Sequence, residues 1–240
     1  MSRIPKTESA PRAIVYPDRD GRPMSDNTLQ YQWIVTIEGN LELLVADRPD
    51  VFVAGDLLWY PVEGRVDVRT APDAMVAIGR PKGYRGSYQQ WQEGGVAPQV
   101  VFEVLSPGNR AGEMRRKLEF YEAHGVQEYY VYDPYKDALK GYRRVGAKLV
   151  AIPETNGWIS PLLQIQFDRS THPMTIRYPD GQAFLTFQEL GQDRDRATRE
   201  RDRATRERDR ATRERDRERE RANRLAAKLR ELGIDPDEVR

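Results

Sequence analysis

Apolar and polar positions follow two periods along this chain. Leu29, Trp33, Ile37, Leu41 and Leu44 recur at three- and four-residue spacing, which predicts a helix over residues 28–46. Asp26 or Asn27 is placed to cap it, and Arg48, Pro49 and Asp50 end it. The period then shortens. An apolar strand is predicted at 51–55 with Asp56 just after it, and apolar character continues over 57–60. Residues 74–78 form a nearly unbroken apolar run behind Pro72 and Asp73. The strongest strand signal is 99–105, stopped by Ser106, Pro107 and Gly108. Residues 111–124 return to helical spacing, with Gly125 as the stop, and 128–132 is again a strand. Strand, helix and strand in this order predict a right-handed crossover between parallel strands. Continuous apolar runs of this kind belong inside a sheet covered on both faces. Beyond Pro134 the style changes. Short runs at 138–144, 148–152, 174–178 and 183–187, separated by Gly, Pro and Asn, read as antiparallel hairpins at the sheet edge. The expected fold class is α/β, a mixed sheet flanked by helices.

Composition divides the chain further. Of 240 residues, 32% are charged and 38% hydrophobic, too polar an average for a uniform globule. The excess collects after Gly191. Three parts are therefore expected: an N-terminal arm over 1–27 carrying several Pro and Gly among charges, a globular domain over 28–190, and a charged helix over 191–240. The formal net charge is only +1, so bulk charge argues for no nucleic-acid partner and any contact needs a local patch. There is no cysteine, which excludes disulfides and thiolate metal sites, and two histidines make a histidine-rich site a poor expectation. No apolar run has transmembrane length and the N-terminus lacks a signal-peptide core, so no membrane association and a cytoplasmic location are expected.

The candidate chemistry sits in the middle. Alternation puts Val101, Glu103 and Leu105 on one face of their strand and Val100, Phe102 and Val104 on the other. Both faces are otherwise apolar, and a carboxylate there must be paired, protonated, solvated at the sheet end or bound to metal. Met114, Lys117, Leu118 and Tyr121 form the stripe that packs the following helix on the sheet. A lysine inside that stripe either snorkels to the rim or points at an anion, and Glu103 is within its reach. Asp73 opens a neighbouring strand; Pro-Asp is also an ordinary turn dipeptide, so its weight comes from the combination. Glu38 and Glu42 lie four apart on one face of the first helix. Lys82, Tyr84, Arg85, Tyr88 and Trp91 interleave basic and aromatic groups in the loop 79–95, either as a nucleic-acid contact or as an exposed loop with its Trp folded back on the domain.

At these residues the chain resembles a known group. Pro72-Asp73, Phe102-Glu103-Val104-Leu105-Ser106-Pro107, Lys117 with Tyr121 and Gly125-Val126, Tyr130-Val131-Tyr132-Asp133-Pro134 and Trp158-Ile159-Ser160-Pro161 are similar to the Uma-type restriction endonucleases of the PD-(D/E)XK nuclease superfamily. The resemblance implies a metal-dependent endonuclease acting on DNA, with Mg²⁺ or Mn²⁺ held by Asp73 and Glu103 and no organic cofactor. The superfamily lysine stands two residues after the second acid. That position is Leu105 here, and Lys117 is the natural replacement. Glu38, Glu42, Asp56 and Tyr121 are accessory candidates. Cutting two strands implies a homodimer. The competing reading is a non-catalytic nucleic-acid-binding or assembly protein that keeps the nuclease fold.

In the tail, Arg-Asp-Arg-Ala-Thr-Arg-Glu repeats three times from Arg194, with a degenerate fourth copy from Arg215. A period of seven is helical. Asp195/Arg199, Asp202/Arg206 and Asp209/Arg213 are expected as i,i+4 pairs, with Arg196/Glu200 as the reverse pairing. Counting back from Leu225, Leu229 and Leu232, the heptad puts Arg at one seam position and Ala197, Ala204 and Ala211 at the other. This predicts a solvated helix or a weak coiled coil closed near its C-terminal end, where Gly233 and Pro236 stop it.

Overall fold

The computed structural model describes residues 14–18, 21 and 27–233. Chain order is α1 (Thr28–Leu44), β1 (Val51–Ala54), β2 (Trp59–Tyr60), β3 (Ala74–Ile78), β4 (Tyr88–Gln89), β5 (Val100–Val104), α2 (Ala111–Ala123), β6 (Glu128–Asp133), β7 (Ala138–Val145), β8 (Lys148–Ala151), β9 (Gln166–Asp168), β10 (Thr175–Arg177) and α3 (Phe187–Glu231). Contacts divide it into one unit ending at Thr186 and a second beginning at Phe187. Of the arm expected over 1–27, most residues lie outside the described set, as does Asp26. Residues 14–18 are held to the first unit: the Tyr16 ring packs on Tyr60 and Trp91, and Tyr60 Oη donates to the Pro17 carbonyl at 2.8 Å.

The main sheet runs β1-β3-β5-β6-β7-β8. Its one parallel pair is β5 with β6, joined through α2; every other neighbouring pair is antiparallel. It is therefore a mixed α/β sheet. Alternation gives each central strand two buried faces. Val76, Val100, Phe102 and Tyr130 share one apolar cluster with Ile34, Ile37 and Leu41 of α1. Met75, Val101, Tyr129 and Val131 share the other with Tyr121 of α2, Trp59 and Tyr88.

Asn27 caps α1 by accepting the Gln30 N–H at 3.0 Å. The α1 stripe is rotated from the one expected: Gln30, Ile34, Ile37, Asn40 and Leu41 are buried, while Leu29, Trp33 and Leu44 are only half-buried. Two polar side chains replace apolar ones on the inner face because each has a backbone partner there. Gly125, at φ +96°, closes α2 as its sequence position predicts.

The strands expected at 174–178 and 183–187 do not join the sheet edge, and Gln166–Asp168 is a strand with no signal in the pattern. β7 and β8 extend the sheet, but β9 and β10 form a separate two-stranded sheet. Residues 183–187 make no strand. Ala183 forms a single bridge to Arg177, the Asn40 side chain then accepts the Leu185 N–H and donates to its carbonyl, and Phe187 opens α3. A side chain that takes both polar groups of Leu185 leaves nothing there for a ladder to use.

Among the described residues, α3 buries no side chain. Its ion pairs run Arg203–Glu207 at 2.9 Å and Arg210–Glu214 at 3.0 Å, and Arg199 donates to the Asp195 carbonyl instead of its carboxylate. The Asp-to-Arg i,i+4 pairs expected from sequence do not form. The arginines have partners on both sides, and fully solvated pairs differ by only tenths of a kcal/mol.

Candidate active site

The register of β3 against β5 places the two central acids. Ala74 stands opposite Phe102 and Met75 opposite Val101. One step back along this antiparallel pair sets Asp73 opposite Glu103, and cross-strand partners face the same side of a sheet. β3 begins only at Ala74, so the Val104 peptide would lose its ladder partner on that side. Asp73 Oδ2 accepts the Val104 N–H at 2.6 Å and Gln30 Nε2 donates to the Val104 carbonyl at 2.8 Å. The end of β3 thus becomes a polar niche closed by two side chains.

Glu103 is buried, and both its oxygens are engaged. Lys117 Nζ donates to Oε2 at 2.6 Å and Tyr121 Oη donates to Oε1 at 2.5 Å. The spacing of α2 accounts for this: positions 117 and 121 are one turn apart, so both groups hang over the same strand residue. Burial, reinforced by the neighbouring Glu103 charge, holds the Asp73 carboxyl well above its usual range; Lys117 and the Val104 N–H only partly oppose this. Burial also works against the Lys117 ammonium, but Glu103 and then Asp73 more than offset it, and Lys117 stays protonated above its ordinary range. Burial, then Glu103, pushes the Tyr121 phenol well up, so it remains a neutral donor. The site therefore holds two carboxyls beside one ammonium, with one carboxyl reluctant to ionise.

Residues that carried no sequence signal complete the walls. Trp59 lies parallel to the Tyr121 ring at 6.2 Å between centroids and 2° between planes, and its Nε1 donates to Gln90 Oε1 at 3.1 Å. Thr70 is bridged to Trp59 beside this stack. Gln30 had no signal because a polar residue at a helix start reads as a solvated one. Tyr129, read only as a core strand residue, leaves its buried hydroxyl without a partner.

The accessory candidates lie around this cluster: Glu38 and the Asp73 carbonyl border the same space beside Gly55. Glu42 pairs with Lys82 at 3.3 Å. Glu38 packs over Gly55, and burial, then the Glu42 charge, raises its carboxyl. Asp56 sits in the left-handed region at φ +49° with its N–H on the Pro72 carbonyl. In the loop 79–95, Arg85 is drawn inward. It pairs with Glu93 at 2.6 Å and lies over the Phe52 ring at 3.9 Å, while Tyr88 is buried and Tyr84 is 95% exposed. Most of that basic-aromatic set is therefore the domain's own packing.

The sequence model of the Uma2 family, described as "Putative restriction endonuclease", matches residues 23–172, more than half of the chain. The chain belongs to this family. Among solved structures, a crystal structure titled a "putative nuclease belonging to DUF820" from Anabaena variabilis matches at 15% identity and a TM-score of 0.43, covering 57% of this chain and 75% of that one. No curated protein matches. As a member of the Uma2 family, the protein is assigned to a restriction-endonuclease type of nuclease. No helix among the described residues is long and apolar enough to cross a membrane.

Nucleases of this type imply a divalent metal, and the Asp73–Glu103 pair fits one. Its donors are hard oxygens, side by side on one face, where burial and then the Glu103 charge raise Asp73. Among the described residues no group of three or more Asp, Glu or His forms a ready-made metal cluster.

Proposed function

We propose that this Uma2 member is a metal-dependent endonuclease that hydrolyses DNA phosphodiester bonds, with Asp73, Glu103 and Lys117 as its working residues. One observation carries the reading: two strands and a helix bring a carboxyl pair and a protonated lysine to one place, with Lys117 at 2.6 Å from Glu103. Asp73 and Glu103 would hold Mg²⁺ or Mn²⁺. When bound, such an ion polarises a phosphoryl oxygen and acidifies a water.

The remaining roles belong to the chain. Lys117 is held protonated, so it acts as a donor and a positive charge toward the non-bridging oxygens as negative charge grows there, rather than as a general base. Tyr121 fixes the Glu103 rotamer through Oε1. The Val104 N–H fixes Asp73 Oδ2, and Gln30 holds the other end of the same peptide. Trp59 keeps water from the inner side of Tyr121. Two-strand cleavage by a single site per chain favours a homodimer, with the α3 heptads as one available contact.

The test is a supercoiled-plasmid assay with Mg²⁺ or Mn²⁺ comparing wild type with Glu103→Ala, both shown folded by circular dichroism. Nicked or linear product from wild type alone is expected. Equal product from both proteins rejects the catalytic assignment. One observation favours the alternative, a nucleic-acid-binding or assembly protein that keeps the fold: both Glu103 oxygens already have protein partners, so the cluster is satisfied as it stands. Strand binding by wild type with no metal-dependent product would establish that reading.

A further inference from the structure

Beside α2, a cleft of about 610 Å³ opens between that helix and strands β6 and β7. Its interior is apolar, formed by Leu105, Met114, Leu118 and Val131 beneath the half-buried Tyr142 ring. Its mouth is cationic: Arg110, Arg115, Lys136 and Lys140 line it against one acid, Asp133. Lys136 leans on Asp133 at 3.6 Å and Arg115 on Glu119 at 3.5 Å, both weak rim pairs. Among the described residues no ion pair engages Arg110 or Lys140. The cleft also meets the start of α2, a 13-residue helix whose N-cap, Arg110, makes no side-chain capping bond. The first-turn N–H groups there favour an anion, although the turn also carries the Glu113 carboxylate.

The cleft also has an aromatic wall. Tyr129 is 1% exposed, lies on the cleft wall, and its hydroxyl has no hydrogen-bond partner. Its ring stacks on Tyr142 at 5.7 Å and 20°. The same hydroxyl is influenced by Glu103 and Asp73, so the cleft wall and the acid pair are close neighbours. Leu105 follows Glu103 by two positions, a rise of about 7 Å along a strand, which is on the order of one or two nucleotide steps.

We infer that this cleft takes one unpaired nucleotide, its base against Tyr142 above the apolar floor and its phosphate at Arg110, Lys140 and the start of α2. Volume, aromatic wall and one-sided charge match a nucleoside phosphate better than an apolar ligand, which would leave the cations without a role, or a simple anion, which would leave the floor empty. The nucleotide is a unit of the strand being cut, next to the scissile phosphate. This deepens the nuclease reading and rests on it for the identity of the strand, but not for its test.

The test measures fluorescence anisotropy of a short labelled single-stranded oligodeoxynucleotide on the full-length protein in chelator, where no metal-dependent cleavage can occur. Arg110→Ala and Lys140→Ala are each expected to weaken binding and to lower the salt dependence by about one ion. Tyr142→Ala is expected to weaken it about tenfold while leaving the salt slope in place, with Tyr142→Phe binding as wild type. Unchanged binding in Tyr142→Ala, or in both rim variants, overturns the inference. If Tyr142→Ala does not fold, the two rim variants still decide it. Thymidine 5′-monophosphate is expected to compete poorly; displacement of the oligonucleotide at micromolar concentration overturns the strand assignment in favour of a free nucleotide. A protein that shows the expected binding pattern but cuts nothing with Mg²⁺ sinks the nuclease reading alone, and one that cuts but binds normally in all these variants sinks the cleft alone.

Discussion

Lys117 Nζ stands 2.6 Å from Glu103 Oε2, with the glutamate side chain 3% exposed and the lysine side chain 22% exposed. The lysine reaches in from a rim to neutralise a carboxylate that cannot reach water. Breaking such a pair from one side leaves an uncompensated buried charge.

Lys117→Met is therefore expected to destabilise the metal-free protein by about 3 kcal/mol at neutral pH, and to lower plasmid cleavage by about a hundredfold or more. The double variant Lys117→Met with Glu103→Gln should recover much of the stability and none of the activity. Urea unfolding of the four proteins in this cycle checks it; additive losses would show that the pair is not coupled.

Asp73 makes an opposite contribution. Its folded-state carboxyl lies above the ordinary 3.8, so the native state holds that proton more tightly than the unfolded chain. The resulting stability is present in acid and is lost as pH rises from 3.8 through the folded value. At neutral pH the group weighs against the fold. Asp73→Asn, which can still accept the Val104 N–H, should raise the thermal midpoint at pH 7 and leave it nearly unchanged at pH 3. Mg²⁺ should stabilise wild type and not the variant. A lower midpoint at pH 7 would overturn this account.

Tyr121→Phe removes the hydroxyl from Glu103 Oε1 and keeps the ring on Trp59. A lost hydrogen bond to a charged group is worth about 1.5–3 kcal/mol. We expect cleavage to need about tenfold more Mg²⁺ for half-maximal rate, with the folded structure retained. A titration of rate against metal concentration reads this directly.

Glu128 is a control for burial alone. It is as buried as Glu103, at 2% exposure, yet its partners are Tyr130 of the same strand and Ser160 and the Leu162 N–H, which pin the chain around 158–165 to β6. Glu128→Ala should lower stability by about 3 kcal/mol and open that segment to limited proteolysis. Cleavage per folded molecule should match wild type. A selective loss of activity would place Glu128 in the chemistry instead.

Much of this was legible from the order of residues. Alternation along 99–105 put Glu103 on the face that α2 covers, and helical spacing put Lys117 and Tyr121 above it, because both periods are properties of the local backbone. The apolar runs at 74–78 and 128–132 named the neighbouring strands for the same reason. The heptads named α3 as a helix, but not which of several equivalent charges pair, since solvated partners are nearly degenerate. Three matters were decided only by the tertiary structure. The β3–β5 register set Asp73 against Glu103, and register depends on pairing between segments distant in sequence. Gln30 and Asn40 became inner residues of α1 because backbone groups of Val104 and Leu185 arrive there to meet them. The cationic cleft exists because residues 105–118 and 129–142 pack side by side, and no periodicity along one segment reports what a second segment brings to it.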